Sequence, residues 1–558
     1  MNTASTKSGK KARKAAAAEL RSQKSAAPAP PAPVTHDLPE RVWWIAVIAI
    51  LLIAAVLRLY DLDLVPLHHD EGVNGNFLVR LVRDGDYRYD PANYHGPTLY
   101  YFAAWFPWIV RLLFGTAARD NYGLTTFMIR LVPAVFGLAT IALVFPLRRR
   151  LGTIGTLSAA LMLAVSPGAV YLSRYFIHET QFVFFTLAIV VAGLRFYETR
   201  NPLYLILASA SAALLFATKE TAIISMGVLL IAFATTHIYR WLYRSATATS
   251  SAKSRRPVAP ESAFRRFVGE LGTTNLALSA AIAVIVFVFL NVLFYSSFFS
   301  NSQGVYDALK TFEIWKKTGE TAHVHAPYQY LIWLASQEGP ILFTAVIGAA
   351  MVVIRPKNAF ALFVALWAFG LVAAYSLIKY KTPWLVLNFV VPLALIGGYV
   401  MQVVYDLERG QLRLVAVLLV ITLSVGVYQT IDLNFVNYDN DDSYYVYVYA
   451  HTKRGMLELV DNVEQLAAER DKSQTGITIV SPDYWPLPWY LRNYSRVGYY
   501  GRMAPSTEHL IIASEAQKTE MEQNFSAVYR QVESKDAGGS YELRPGVKLL
   551  LYVRRSGL

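Results

Sequence analysis

Four consecutive residues, His68-His69-Asp70-Glu71, set two imidazoles and two carboxylates just after a long apolar stretch that ends at Tyr60. A carboxylate held at the edge of an apolar phase can take the proton from a hydroxyl as that oxygen attacks an electrophilic carbon. Asp70 and Glu71 are therefore the candidate bases. Further ionisable groups recur in short segments between apolar runs: Arg174, His178 and Glu179, then Lys219-Glu220, then His323 and His325, then Lys379-Tyr380-Lys381. Arg174, Lys219, Lys379 and Lys381 are cations of the kind that hold a phosphate and steady its growing charge as it leaves. His69, His95, His178, Glu179 and Tyr380 are candidates for contact with the rest of a substrate. Each also has a structural alternative. Lys219 and Glu220 can form an ion pair within a tight turn, Arg174 and Glu179 can cap neighbouring helices, and Lys379 and Lys381 can snorkel.

What must position these residues is a membrane domain. The chain of 558 residues is 54% hydrophobic and only 16% charged, against roughly 25% charged in a soluble protein. Apolar segments recur near 42–60, 99–114, 127–147, 153–172, 181–197, 203–217, 222–242, 275–296, 339–354, 359–378, 384–404 and 412–431. The second, with Pro107, Arg111 and two tryptophans, is the odd one. If 98–114 lies along the outer surface, then the Arg148–Arg150 run, the basic linker 243–270 and the turns 355–357 and 409–413 all fall on the cytoplasmic side, as the excess of Lys and Arg in inner loops requires. The expectation is an α-helical polytopic protein of about eleven transmembrane helices, residues 41–431, with interfacial helices in a large first outer loop over 61–126. All the candidate residues then share the outer face. Ionisable residues at such a margin are functional candidates by default.

Residues 1–40 are rich in Lys, Ala and Pro and read as a disordered basic cytoplasmic tail. Its charge suits topology and anionic lipid rather than nucleic acid. The apolar stretch that follows starts too late and runs too long for a cleaved signal peptide. Residues 432–558 change character, mixing short β-like runs with a helical one at 453–469, and read as a small α/β domain outside the membrane. Within it, Pro482-Asp-Tyr-Trp-Pro-Leu-Pro-Trp-Tyr-Leu-Arg492 fits a rigid loop against a membrane or a sugar, or ordinary core packing. The absence of cysteine excludes disulfides, thiolate metal sites and a thiol nucleophile. Six of the ten histidines, His68, His69, His95, His178, His323 and His325, fall in the outer loops between the apolar segments. They leave a divalent metal open as a cofactor, although no His-x-x-x-His or His-x-x-Glu-His spacing accompanies them.

The run Asp70-Glu71-Gly-x-Asn-Gly-Asn, followed by His95-Gly96-Pro97-Thr-Leu-Tyr-Tyr, resembles the polytopic GT-C glycosyltransferases, among them the protein O-mannosyltransferases and the aminoarabinose transferases of lipid A. The chain looks most like the bacterial and archaeal family called flippase-activity-associated membrane proteins. The resemblance spans roughly 42–400 and is strongest at 70–101, 173–179 and 379–384. It implies Asp70 as base with Glu71 beside it, His95-Gly-Pro97 opening the second surface helix with Gly96 departing from the His-Pro-Pro pattern, Arg174 to Glu179 as the second acidic site, and Lys219 in a Thr-Lys turn. The expected activity is inverting transfer of a hexosyl or pentosyl unit from a polyprenyl-phosphate sugar to a glycan, lipid or protein acceptor at the outer face of the cytoplasmic membrane. The alternatives are a lipid-linked-sugar flippase, an accessory of one, or a scaffolding role for the C-terminal domain.

Overall fold

The computed structural model describes residues 38–93, 95–114, 123–249, 272–321, 323–408, 411–438, 444–469, 474–535 and 538–555. Residues 1–37 of the expected tail, and 250–270 of the basic linker, lie outside them. In chain order the helices are α1 (Glu40–Leu59), α2 (His69–Val79), α3 (Thr98–Phe114), α4 (Thr126–Ala142), α5 (Thr153–Ala164), α6 (Pro167–Ser173), α7 (Glu179–Thr199), α8 (Pro202–Phe216), α9 (Ala222–Thr249), α10 (Thr273–Tyr295), α11 (Gln303–Thr321), α12 (Gln329–Gln337), α13 (Gly339–Ile354), α14 (Ala359–Leu377), α15 (Leu387–Leu407) and α16 (Arg413–Ile431). The architecture is predominantly helical, as the apolar segments predict.

Among the described residues eight helical stretches are long and apolar enough to cross a membrane, and the bent pairs α5–α6 and α12–α13 raise the number to ten. The eleventh expected span is the shorter apolar helix α8. Helix α3, which has 17 residues, buries Leu99, Tyr100, Ala103 and Ala104 near its start and exposes Trp105, Leu112 and Leu113 further on. Helix α15 lies at the centre, against α5, α13 and α14.

The two bends set the outer loops. Pro167 cannot continue α5, and a break leaves carbonyls without helical partners. In an apolar bundle such groups need a donor from the protein. Arg58 supplies it, donating to the carbonyls of Leu163 at 2.9 Å and Ala164 at 3.0 Å, while Thr430 donates to Val165 at 2.7 Å. At the second break Glu338 accepts from Ser166 Oγ at 2.8 Å and from the Gly168 N–H at 2.9 Å, so the two breaks are tied together. The result is a 58° turn that delivers the chain to the 174–179 loop.

The basic segments gather at one end of the bundle. Arg148 pairs with Glu40 at 2.8 Å, Asn358 Nδ2 donates to the Arg150 carbonyl at 2.8 Å, and Arg240 donates to the Pro356 carbonyl at 3.1 Å. The loops that carry the candidate residues close the opposite end.

Beyond the bundle lie α17 (Gly455–Ala468), α18 (Leu487–Tyr490) and α19 (Lys518–Phe525), with strands β1 (Ile477–Ile479), β2 (Val497–Tyr499), β3 (Leu510–Ser514), β4 (Tyr529–Val532), β5 (Tyr541–Arg544) and β6 (Val547–Arg554). The order is β2-β1-β3-β6-β4, with β5 also on β6. Strand β1 is parallel to β2 and β3, and β6 is antiparallel to its neighbours. Alternate residues face opposite sides of a strand. Ile477, Ile479, Leu510, Ile512, Leu549 and Leu551 pack on α17, while Ile511, Ala513 and Leu550 pack on Met521 of α19. This unit sits directly on α2. The Leu67 N–H donates to Tyr490 Oη at 2.9 Å, and a Cβ on Gly72 would lie 2.5 Å from Pro486 Cβ, so the helix admits nothing larger there.

Candidate active site

Helix α2 begins with a cap that separates two neighbouring carboxylates. The Asp70 N–H donates to His68 Nδ1 at 3.1 Å, and Glu71 Oε2 accepts the His68 N–H at 3.0 Å. Since His68 Nδ1 accepts, its proton sits on Nε2, which donates to the Tyr449 carbonyl at 3.0 Å. Glu71 is fully buried. It accepts from Arg130 Nε at 2.8 Å and Nη2 at 2.7 Å, and from the Phe176 N–H at 2.8 Å. Its oxygens are taken up, and it lies outside the cavity described next. Glu71 thus joins α2, α4 and the 174–179 loop.

Asp70 faces the other way. Its side chain is 42% exposed, and the nearest ionisable nitrogen, His68 Nδ1, is 3.9 Å away. Asp70 lines a cavity of about 250 Å³ together with His69, Asn74, Asn93, His95, His178, Glu179, Lys219, Glu220, Trp315, His323, Tyr380 and Trp384. All the outer segments therefore converge on one space, with Tyr375 closing it from α14.

The walls are braced by hydrogen bonds. Asn93 donates to Tyr100 Oη at 3.1 Å, Tyr100 donates to Asn74 Oδ1 at 2.9 Å, and Asn74 donates to the Phe176 carbonyl at 3.0 Å. His178 Nε2 donates to the Gly96 carbonyl at 3.0 Å, and the Gly96 N–H donates to the Thr218 carbonyl at 3.0 Å. A Cβ on Gly96 would fall 2.0 Å from the Ala217 carbonyl oxygen. The glycine that departs from the His-Pro-Pro pattern is therefore required by the close approach of the Lys219 turn.

Lys219 is buried and bonded to Glu179 Oε1 at 2.5 Å. Burial opposes its charge, but Glu179 and Glu220 outweigh burial and hold its pKa above the ordinary lysine value. Glu220 accepts from His95 Nδ1 at 3.1 Å. Burial pushes His69 below the usual histidine range. It pushes His178 well below, with His95 and Lys219 adding to the effect. The cavity thus holds Lys219 paired with Glu179, His95 paired with Glu220, two imidazoles disfavoured from charging, and the carboxylate of Asp70 outside those pairs. Among the described residues no three His, Asp or Glu side chains gather as a metal site.

Of the eleven expected site residues, Asp70, His69, His95, His178, Glu179, Lys219 and Tyr380 line the cavity. Four lie elsewhere. Glu71 is in its ion pair. Arg174 donates to the carbonyls of Tyr60 at 2.5 Å and Asp61 at 2.7 Å, stacks over Phe435, and lines a separate cavity of about 20 Å³. Lys379 is exposed, and its backbone carbonyl accepts the His325 N–H at 3.1 Å. Lys381 is buried, donates to the Ile378 carbonyl and sits 5.8 Å from the Tyr330 ring. Sequence reading missed Asn93, Trp315 and Tyr375, which carry no charge to mark them.

Residues 99–252 match the family model for dolichyl-phosphate-mannose-protein mannosyltransferase. ArnT of Cupriavidus metallidurans bound to undecaprenyl phosphate superposes with a TM-score of 0.61 at 13% identity, over 91% of this chain and 98% of that one. The fold is that of the GT-C glycosyltransferases. The apo state of the same ArnT gives a TM-score of 0.56 at 14% identity, over 92% of this chain and 98% of that one. The oligosaccharyltransferase of Archaeoglobus fulgidus, in complex with zinc and sulfate, is more distant at a TM-score of 0.48 and 12% identity, over 85% of this chain and 68% of that one. Among curated protein sequences none matches.

Proposed function

We propose that the protein is a membrane glycosyltransferase that moves a hexosyl or pentosyl unit from a polyprenyl-phosphate donor to an acceptor at the outer face of the cytoplasmic membrane. The N-terminus and the basic end of the bundle then face the cytoplasm, and the cavity and the domain over 432–558 face outward. The observation that carries this reading is the presence in one cavity of a solvent-reachable carboxylate, Asp70, and of Lys219, a buried lysine ion-paired with Glu179.

Asp70 accepts the proton of the acceptor hydroxyl as that oxygen attacks the anomeric carbon. The bond from that carbon to the phosphate oxygen breaks, and polyprenyl phosphate departs with the bonding pair. Lys219 meets the charge that builds on the phosphate. His95, His178, Glu179 and Tyr380 line the space the sugar would fill. One displacement inverts the anomeric centre, and no strong acid is needed because phosphate is already a good leaving group. Fold alone does not fix function; the reading rests on the cavity.

A flippase would carry charges along a path through the helices. Among the described residues the buried cations within the spans, Arg58 and Arg130, are occupied by protein carbonyls and by Glu71 and do not line the 250 Å³ cavity. Reconstitution into liposomes with a polyprenyl-phosphate donor radiolabelled in the sugar separates the two. The expected result is passage of label from lipid to acceptor in added membrane extract. Label that stays on the lipid while crossing between leaflets would establish the flippase.

A further inference from the structure

The aromatic, proline-rich segment over 482–492 divides into two faces. Pro486 and Trp489 press on Gly72 and Gly75 of α2, and Tyr490 holds the Leu67 N–H, so that half is buried interface. Tyr484 and Trp485 are half-buried: Trp485 Cε3 lies 3.4 Å from a would-be Cβ on Gly72, and Tyr484 packs in part on the core of the outer sheet. The Trp485 ring lies 6.1 Å from the ring of His69, which lines the cavity, and 5.7 Å from Tyr484; Tyr484 lies 5.2 Å from Tyr499 of β2. Tyr500 follows, its ring laid over Gly498. Among the described residues from 455 onward, Tyr499 and Tyr500 are the only large apolar side chains left exposed. The run of rings therefore starts at the cavity and ends on the edge strand of the outer sheet.

We propose that this run is a binding track for a glycan chain, which makes the acceptor, or the part of it next to the accepting hydroxyl, a carbohydrate. This rests on the transferase reading for its role, though not for the binding itself. Ring faces give flat apolar surfaces that match the C–H face of a sugar, and the phenol tips stay wet. Arg544 and Asp483 form an ion pair beside the same rim, close enough to influence His69, and offer donors and acceptors for hydroxyls. A lipid tail would call for aliphatic side chains, and none is exposed in this unit among the described residues. An extended peptide would add to a sheet edge, but β2 pairs over three residues only.

The test uses the full-length protein in amphipol, free of sugar-headed detergent, and three soluble probes: maltohexaose, mannohexaose and arabinohexaose. Saturation-transfer NMR and titration report binding. The expected result is that at least one probe binds and that Tyr499→Ser with Tyr500→Ser weakens it by about tenfold, the loss of two stacked rings, while affinity for undecaprenyl phosphate is unchanged. Both tyrosines are exposed, so the fold is retained, and the undecaprenyl phosphate measurement checks it. Binding by none of the three probes, or equal binding by the double variant, overturns the proposal. Probe binding without any sugar transfer would sink the transferase reading and leave the track standing. Transfer without probe binding would do the reverse.

Discussion

Glu71 is clamped by Arg130, 2.8 Å from Nε and 2.7 Å from Nη2, while Asp70 beside it opens onto the cavity. One helical cap sends two adjacent carboxylates to different tasks. Removing one partner of a buried pair leaves an uncompensated charge, at a cost of roughly 3–5 kcal/mol. Arg130→Ala is expected to lower the thermal midpoint of the purified protein sharply. Asp70→Asn, at a half-exposed position, is expected to leave it in place. Differential scanning fluorimetry on both variants checks this.

Of the four expected phosphate partners, Arg174, Lys219, Lys379 and Lys381, Lys219 alone lines the cavity. A charge-assisted hydrogen bond contributes roughly 1.5–3 kcal/mol, so Lys219→Met should weaken binding of undecaprenyl phosphate about tenfold or more. Because that variant strands Glu179, the double variant Lys219→Met with Glu179→Gln is needed. It should recover stability and still bind the phosphate weakly.

Lys381 should behave differently. It donates to the Ile378 carbonyl beneath the cavity, and burial lowers its pKa. Lys381→Met keeps the volume and removes the charge, and it should leave the affinity for undecaprenyl phosphate unchanged in a lipid-binding titration.

His178 and His451 are each about 1% exposed and held well below the ordinary histidine value, first by burial. Both ring nitrogens of His451 lack a partner. The folded state keeps these rings neutral where the unfolded chain would bind protons. Their contribution to stability is therefore present above about pH 6.5 and lost as pH falls toward the depressed folded values, with a slope of about 1.4 kcal/mol per pH unit for each ring. Denaturation at pH 7.5 and 5.5 should show the loss, and His451→Phe, which fills the same space without titrating, should reduce it.

The membrane spans were legible because apolar runs and Lys/Arg asymmetry are properties of local sequence, and helix α8 was legible even at 15 residues. Convergence of the outer loops followed from counting the spans. What the sequence did not disclose is which charges are spent inside the protein. Glu71, Arg174 and Lys381 look as available in the sequence as Asp70, and only the positions of Arg130, the Tyr60 carbonyl and the Ile378 carbonyl set them apart; Lys219 is also paired, with Glu179, but lines the cavity. Gly96 illustrates the same limit, since its need comes from the Ala217 carbonyl, 121 residues away in sequence yet 2.0 Å from a would-be Cβ.

The most direct test of Asp70 as base is single-turnover transfer by purified wild type and Asp70→Asn, with donor affinity measured alongside. The expected rate is lower by about 10²- to 10⁴-fold, with affinity and thermal midpoint unchanged. A variant that transfers sugar at the wild-type rate would contradict it.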